Sequence, residues 1–322
     1  MDNNTKNPFD GLCDVGQAEQ IINRYQRDNP DNIDGLESLL NLILEALYNA
    51  EQLVGDADDF HNFSVSISKI ANDNSKAVYI IQEGLKIHDN STDLLADAIK
   101  YGYSCGQKDN CTKWFNSLIA IDKSKWTWRA FSFTIEYLLN EWVSSTNYIK
   151  PLDYIFNLAK EYQKYKPDEE DAWYCEYQIY AGTNQIEKGI EVLKSAIDKF
   201  TLCPRCWLRY ADIMVERGEF KEAEPIIAKM RRNPKTREKI NSSYMFFLDA
   251  QCKIASYYSS EAYENGEKDE KAVWAIYRAF RQSLASTGLR ENIKSQIDDY
   301  ILELSDESGI EFPDDWRYSS AR

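Results

Sequence analysis

Glycine and proline are scarce, 13 and 8 in 322 residues. A sandwich or barrel rich in loops needs turn residues about every 8–12 positions, so all-β architectures are excluded. Long apolar runs are missing too. The strongest, Leu36 to Leu47, is broken by Glu37, Ser38, Asn41 and Glu45, whereas a membrane span needs roughly 18 uninterrupted apolar residues. The start, Met1 to Asp10, lacks a basic stretch backed by an apolar core, so no secretory signal is expected. Histidine occurs twice, at His61 and His88. No Ser/His/Asp or Cys/His grouping and no glycine-rich phosphate loop can be argued from spacing. The expectation is a protein that is not an enzyme and uses no cofactor. Seven cysteines, an odd number without a disulfide framework, point to a reducing compartment and so to the cytoplasm.

Positive charge is also in deficit, with 38 Lys and Arg against 53 Asp and Glu, a formal net charge of −15. The imbalance is local. Residues 1–56 hold eleven acids and three bases, while 203–240 hold ten bases and six acids. An acidic chain repels phosphate backbones, which argues against nucleic acid and favours a protein or peptide with a basic or amphipathic segment.

What the chain has in quantity is aromatic residues, 21 Tyr, 13 Phe and 8 Trp, and some of them recur. Trp173 and Trp207 stand 34 residues apart. After the second come Tyr210, Ala211, Met214, Gly218, Phe220, Ala223 and Ile227, with Pro234 near the end. Trp207, Ala211 and Met214 make one stripe of a helix. Ala211 lets a second helix approach, Gly218 reverses the chain, and Ala223, Ile227 and Met230 carry the stripe on the returning helix. Steps of 34 back from Trp128 reach Leu94 and Phe60, so five anchors stand at intervals of 34, 34, 45 and 34. The long interval places about 11 extra residues around Val143 to Ile149. Turn formers Asn72-Asp73-Asn74-Ser75 and Gly106 to Asn110 close the first two units.

This pattern resembles the tetratricopeptide repeat. The resemblance implies an all-α fold, a right-handed α-solenoid of five to six helix pairs with helical caps at both ends. The expected division is an acidic cap over 1–56, five repeats over 57–240, and a sixth degenerate pair with a capping helix over 241–322. The cap pair is read as Gln17 to Gln26 and Leu36 to Leu53. The C-terminal part is read as Ser243 to Glu264, Glu270 to Leu284 with Ala272, Ile276 and Ala279 inward, and Leu289 to Leu304. Phe312 and Trp316 are the residues expected to hold the tail.

In such arrays the first helix of each pair lines the concave face, and positions one, five, eight and nine after the anchor meet the ligand. That geometry nominates Tyr103, Arg129, Phe133, Glu136, Tyr137, Tyr174, Gln178, Asp212 and Glu216 as partner-binding residues. Leu95, Ile99, Leu208 and Val215 occupy the same positions, and Gly102, Ala181 and Gly182 are expected to leave room for a bound chain. The Lys, Asn and Arg cluster with which one subgroup clamps acidic tails is missing, since Arg129 is the only cation among these positions.

Cys203-Pro204-Arg205-Cys206 has three readings. It could be a redox dithiol, or two thiolates of a zinc site with Cys175 as a third ligand. The favoured reading is a loop broken by Pro204 before the Trp207 helix, with no metal. The run Lys229, Arg231, Arg232, Lys235, Arg237, Lys239 could bind phosphate, but it reads better as cations at a helix C-terminus followed by a solvated loop. The leading functional expectation is a scaffold that holds a partner protein. The alternatives are an acidic inhibitor or antitoxin-like regulator of a basic effector, and a redox or zinc protein centred on Cys203 and Cys206.

Overall fold

The computed structural model describes residues 7–144, 148–286 and 288–313, with the side chains of 237 and 238 excepted. Trp316, Arg237's side chain and part of the expected insertion therefore lie outside the described residues. Two compact units form, Met1–Thr183 and Asn184–Arg322. The expected divisions at 56/57 and 240/241 fall inside them.

The first unit contains α1 (Val15–Asp28), α2 (Ile33–Asn49), α3 (Ala57–Ile70), α4 (Asn74–Ile87), α5 (Thr92–Ser104), α6 (Lys108–Ile119), α7 (Trp128–Ser144), α8 (Leu152–Tyr165) and α9 (Asp171–Gly182), with a 3-10 turn at Lys123–Lys125. The second contains α10 (Ile186–Lys199), α11 (Pro204–Glu216), α12 (Phe220–Arg232), α13 (Pro234–Lys239), α14 (Ser242–Tyr258), α15 (Glu261–Glu264), α16 (Glu270–Ala285) and α17 (Glu291–Ser308). No strand occurs among the described residues; a single parallel bridge joins Asp14 and Val54. Among the described residues no helix is long and apolar enough to cross a membrane.

Short polar residues set the helix starts by satisfying backbone N–H groups that the first turn leaves unpaired. Asp14, Asn32, Asp56, Asp73 and Ser91 each accept from a backbone N–H two or three residues on. Four turns then share one device. Asn72, Gly106, Asn184 and Gly218 all adopt positive φ, and each stands two residues before a returning helix. Gly and Asn are the residues that enter this left-handed region most cheaply.

The returning helices carry the period. Their buried stripes begin at Ala77, Cys111, Ile155, Gly189 and Ala223, at intervals of 34, 44, 34 and 34. Each stripe continues four and seven residues later, as in Cys111, Phe115, Leu118 and Ala223, Ile227, Met230.

Several expectations change at this level. The anchor of α7 is Phe131, not Trp128: Phe131, Thr134, Ile135 and Leu138 are at most 1% exposed, whereas Trp128 is half-buried. Phe131 follows Leu94 by 37 residues, so three extra residues precede the anchor, in the connection that holds the 3-10 turn Lys123–Lys125. Leu53 lies beyond α2, next to the Val54 bridge. The stretch 243–264 is two helices, because Ser260 caps α15 by accepting from Tyr263. In α16 the buried hydrophobic residues are Val273, Ile276, Tyr277, Ala279 and Phe280, so Ile276 and Ala279 face inward as expected while Ala272 is only half-buried. The expected loop after Arg232 is the short helix α13, begun by Asn233 and Pro234. Phe312 stacks on Tyr277 with centroids 4.4 Å apart.

A buried carboxylate sits on each of five first helices: Asp97, Glu141, Glu176, Asp212 and Asp249. Each meets a polar partner on another helix of its own unit. Asp97 meets His61 of α3, Glu141 meets Lys108 of α6, and Glu176 meets Lys160 of α8. Asp249 meets Arg231 of α12, and Asp212 meets Tyr244 of α14.

Candidate binding face

In the first unit the nominated residues divide by environment. Glu136 is exposed; Arg129, Phe133, Tyr174, Gln178 and Tyr103 are half-buried. Lys100 of α5 lies 4.3 Å over the Phe133 ring, and Trp128 meets that ring edge-on. Arg129 pairs with Asp93 of α5 at 3.8 Å. Together α5 and α7 present a face of mixed charge around one aromatic ring.

Tyr137 does not belong to that face. It is 3% exposed, packed between Tyr103 and Phe115, with burial raising its hydroxyl pKa to about 12. Leu95, Ile99 and Val215 are core as well. Gly102 leaves no room for a ligand. A Cβ there would stand 2.5 Å from the Trp114 ring, so the space belongs to α6.

In the second unit, Asp212 and Glu216 line a pocket of about 500 Å³ built by three helices. Arg209, Asp212 and Glu216 share one stripe of α11 through spacings of three and four. Tyr244 and Phe247 come from the first turns of α14. Leu289, Arg290, Asn292, Ile293 and Gln296 come from the start of α17. Asn241 fixes the arrangement: its side chain donates to Gly288 O at 2.8 Å and accepts from Tyr244 N at 3.2 Å. The start of α17 has no side-chain cap.

Asp212 is 6% exposed and does not reach out to a partner as expected. The Arg209 guanidinium and the Tyr244 hydroxyl both donate to it. Burial, reinforced by the adjacent Asp212, pushes the Tyr244 hydroxyl well above its ordinary pKa and keeps it a donor. Asp212 thus orients Arg209 and Tyr244, while exposed Glu216 and Arg290 supply outward charge. Sequence reasoning missed Tyr244, Arg290 and Gln296 because they lie past the last recognisable repeat.

The decisive feature of the architecture is the 34-residue recurrence of returning helices, entered in four cases through a left-handed Asn or Gly. The fold is tetratricopeptide-like. A tetratricopeptide repeat protein from Parabacteroides merdae superposes with a TM-score of 0.49 at 12% identity, over 90% of this chain and 99% of that one. A monomeric mutant of IFIT1 with Gppp-AAAA gives 0.45 and 11%, over 92% of this chain and 66% of that one. Human IFIT1 as a dimer with m7Gppp-AAAA gives 0.45 and 11%, over 92% and 65%. The chain therefore spans just under two thirds of IFIT1. No family model and no curated protein matches the sequence.

Cys203 and Cys206 are both 0% exposed; Cys203 directly precedes α11, and its thiol lies 3.7 Å from Ala196 O. Among the described residues no three His, Cys, Asp or Glu side chains form a metal-binding group. Burial raises the Cys111 thiol to about 11 and Cys252 to about 12. Thiol titration of native protein should therefore modify Cys13 and Cys105, the two half-buried cysteines among seven free ones, and reach the rest only after unfolding. Rapid modification of Cys203 or Cys206 in the native state would restore the redox reading.

In the basic run, Lys229 lies 4.4 Å over the Trp207 ring and Arg231 pairs with Asp249 at 3.0 Å. Two of its cations are thus engaged in packing.

Proposed function

We propose that this chain is a non-catalytic interaction module that binds a protein or peptide through its first helices. The observation that carries this reading is the pocket between α11, α14 and α17. Its buried acid is already satisfied by Arg209 and Tyr244, and Tyr244 is held protonated, which suits fixed recognition better than proton transfer. Glu216 and Arg290 offer opposite charges, Asn292 and Gln296 offer amides that match a peptide backbone, and Phe247 and Ile293 offer an apolar floor. In the first unit, Phe133, Glu136, Arg129, Tyr174, Gln178 and Tyr103 form the corresponding face. Seven free thiols accord with a reducing, cytoplasmic setting.

The test is affinity capture from the native cell, with wild type beside Glu216→Lys/Arg290→Glu and beside Phe133→Ala/Glu136→Lys. All four positions are exposed or half-buried, so the variants should keep the helical circular dichroism and melting temperature of wild type. The expected result is a protein captured by wild type and lost, or reduced about tenfold, with at least one pair, as for residues at the centre of an interface. Equal capture by all three forms would refute the proposal.

A further inference from the structure

The second binding surface concerns the first helix pair and is independent of the pocket. α1 and α2 pack against α3 through Val15, Ala18 and Ile22 and through Leu40, Ile43 and Leu47. A different stripe of the pair stays open. Between α1 and α2 runs a crevice of about 390 Å³, lined by Ile21, Tyr25 and Leu39 together with Gln17, Gln20, Arg24, Asp28 and Asn29. Leu42 next to it on α2 is 38% exposed, and Ile33 at the start of α2 is 69% exposed. An end pair that serves only as a cap carries a polar outer face; this one carries apolar side chains.

The helix pair as a whole is acidic, although Arg24 lines the crevice itself. Glu19, Asp31, Asp34, Glu37 and Glu45 stand on or between these helices and make no ion pair among the described residues. Arg24 and Arg27 are the only cations among described residues up to 56, and Arg27 is paired with Asp28. Unpaired like charges raise the energy of the free surface, and a cation-bearing partner relieves it.

We infer that this face docks a basic amphipathic helix of a partner protein, with its apolar stripe against Ile21, Tyr25 and Leu39 and its Lys and Arg residues toward the carboxylates carried by α1 and α2. A trough between two helices accepts a third helix by the ridge-and-groove packing used throughout the unit. A second copy of the chain would set this acidic surface against itself. Anionic lipid and nucleic acid are repelled for the same reason.

The probe is a labelled amphipathic Leu/Lys helix of about five turns, titrated by anisotropy into the full-length chain. A scrambled peptide of the same composition and a Leu/Glu helix serve as comparisons. The expected result is saturable binding of the Leu/Lys helix alone, weakened about tenfold between roughly 50 and 200 mM salt. Asp34→Lys/Glu37→Lys, at two exposed positions, should weaken it about tenfold, and Leu39→Ser, which trims a half-buried side chain beside the core, should do the same, with circular dichroism and melting as the check on its fold. Glu216→Lys/Arg290→Glu should leave it unchanged, so failure here is distinct from failure of the pocket.

Equal binding of the scrambled peptide would reduce the surface to charge alone and overturn the inference. So would indifference to the Asp34/Glu37 and Leu39 variants, or no binding. A dimer of the chain abolished by Leu39→Ser would assign the face to a second copy instead.

Discussion

His61→Ala should lower the stability of the protein by about 3 kcal/mol, because it strands a buried carboxylate. Asp97 is 0% exposed, and its Oδ2 lies 2.6 Å from His61 Nδ1. Its Oδ1 has no hydrogen-bond partner among the described residues. Removing the imidazole takes away the one side-chain partner the carboxylate has among the described residues. Urea unfolding followed by circular dichroism measures the loss. Adding Asp97→Leu to the His61→Ala background should recover most of it, since an apolar side chain carries no desolvation cost. An additive or greater loss in the double variant would show that the pair is not the source.

The same site gives a pH signature. Burial raises the Asp97 pKa above the usual carboxylate value, more than His61 lowers it. A raised acid favours the folded state at low pH, and that contribution is lost as pH climbs from the unfolded-state value through the folded one. The stability of Asp97→Asn relative to wild type should therefore rise across that window and level off above it. A constant difference from pH 4 to pH 8 would contradict the shift.

Phe131→Ala should cost about 3–5 kcal/mol and Trp128→Ala about 1 kcal/mol, although tryptophan is the larger residue. Phe131 is 0% exposed, stacks on Tyr162 with centroids 4.9 Å apart and a 4° interplanar angle, and touches Trp126. Trp128 is only half-buried, with Arg129 and Phe133 beside it. Thermal melts of the two variants decide between Phe131 and Trp128 as the anchor of α7. The reverse order of melting temperatures would reinstate Trp128.

What was readable from the chain follows from what sets each feature. The helix pairs were legible because Ala223, Gly218 and their counterparts serve local needs, close approach and a left-handed turn, which fix residue type at fixed spacing. The α7 anchor was not. Three extra residues before α7 shift the count by three, so Trp128 and Phe131 compete for the core, and only the neighbouring helices choose between them. The exposure of the proposed binding face was half legible. Glu216 and Phe133 are exposed or half-buried as their helical position implies, but Tyr137 fits the same rule and is buried by Tyr103 and Phe115. Arg290 and Tyr244 reach the pocket through packing of α14 and α17, which no periodicity announces.

The five buried carboxylates have a further consequence. Each ties its helix to a partner helix, and buried ion pairs contribute little to net stability once desolvation is counted. Their effect lies in the stacks they forbid. Helix pairs built on one plan could slide by a turn or exchange places and still match apolar stripe to apolar stripe. Any such shift here would bury Asp97 away from His61, Glu141 away from Lys108, or Asp249 away from Arg231. The charges act as the wards of a lock: within each unit, layers built on one plan match in one register.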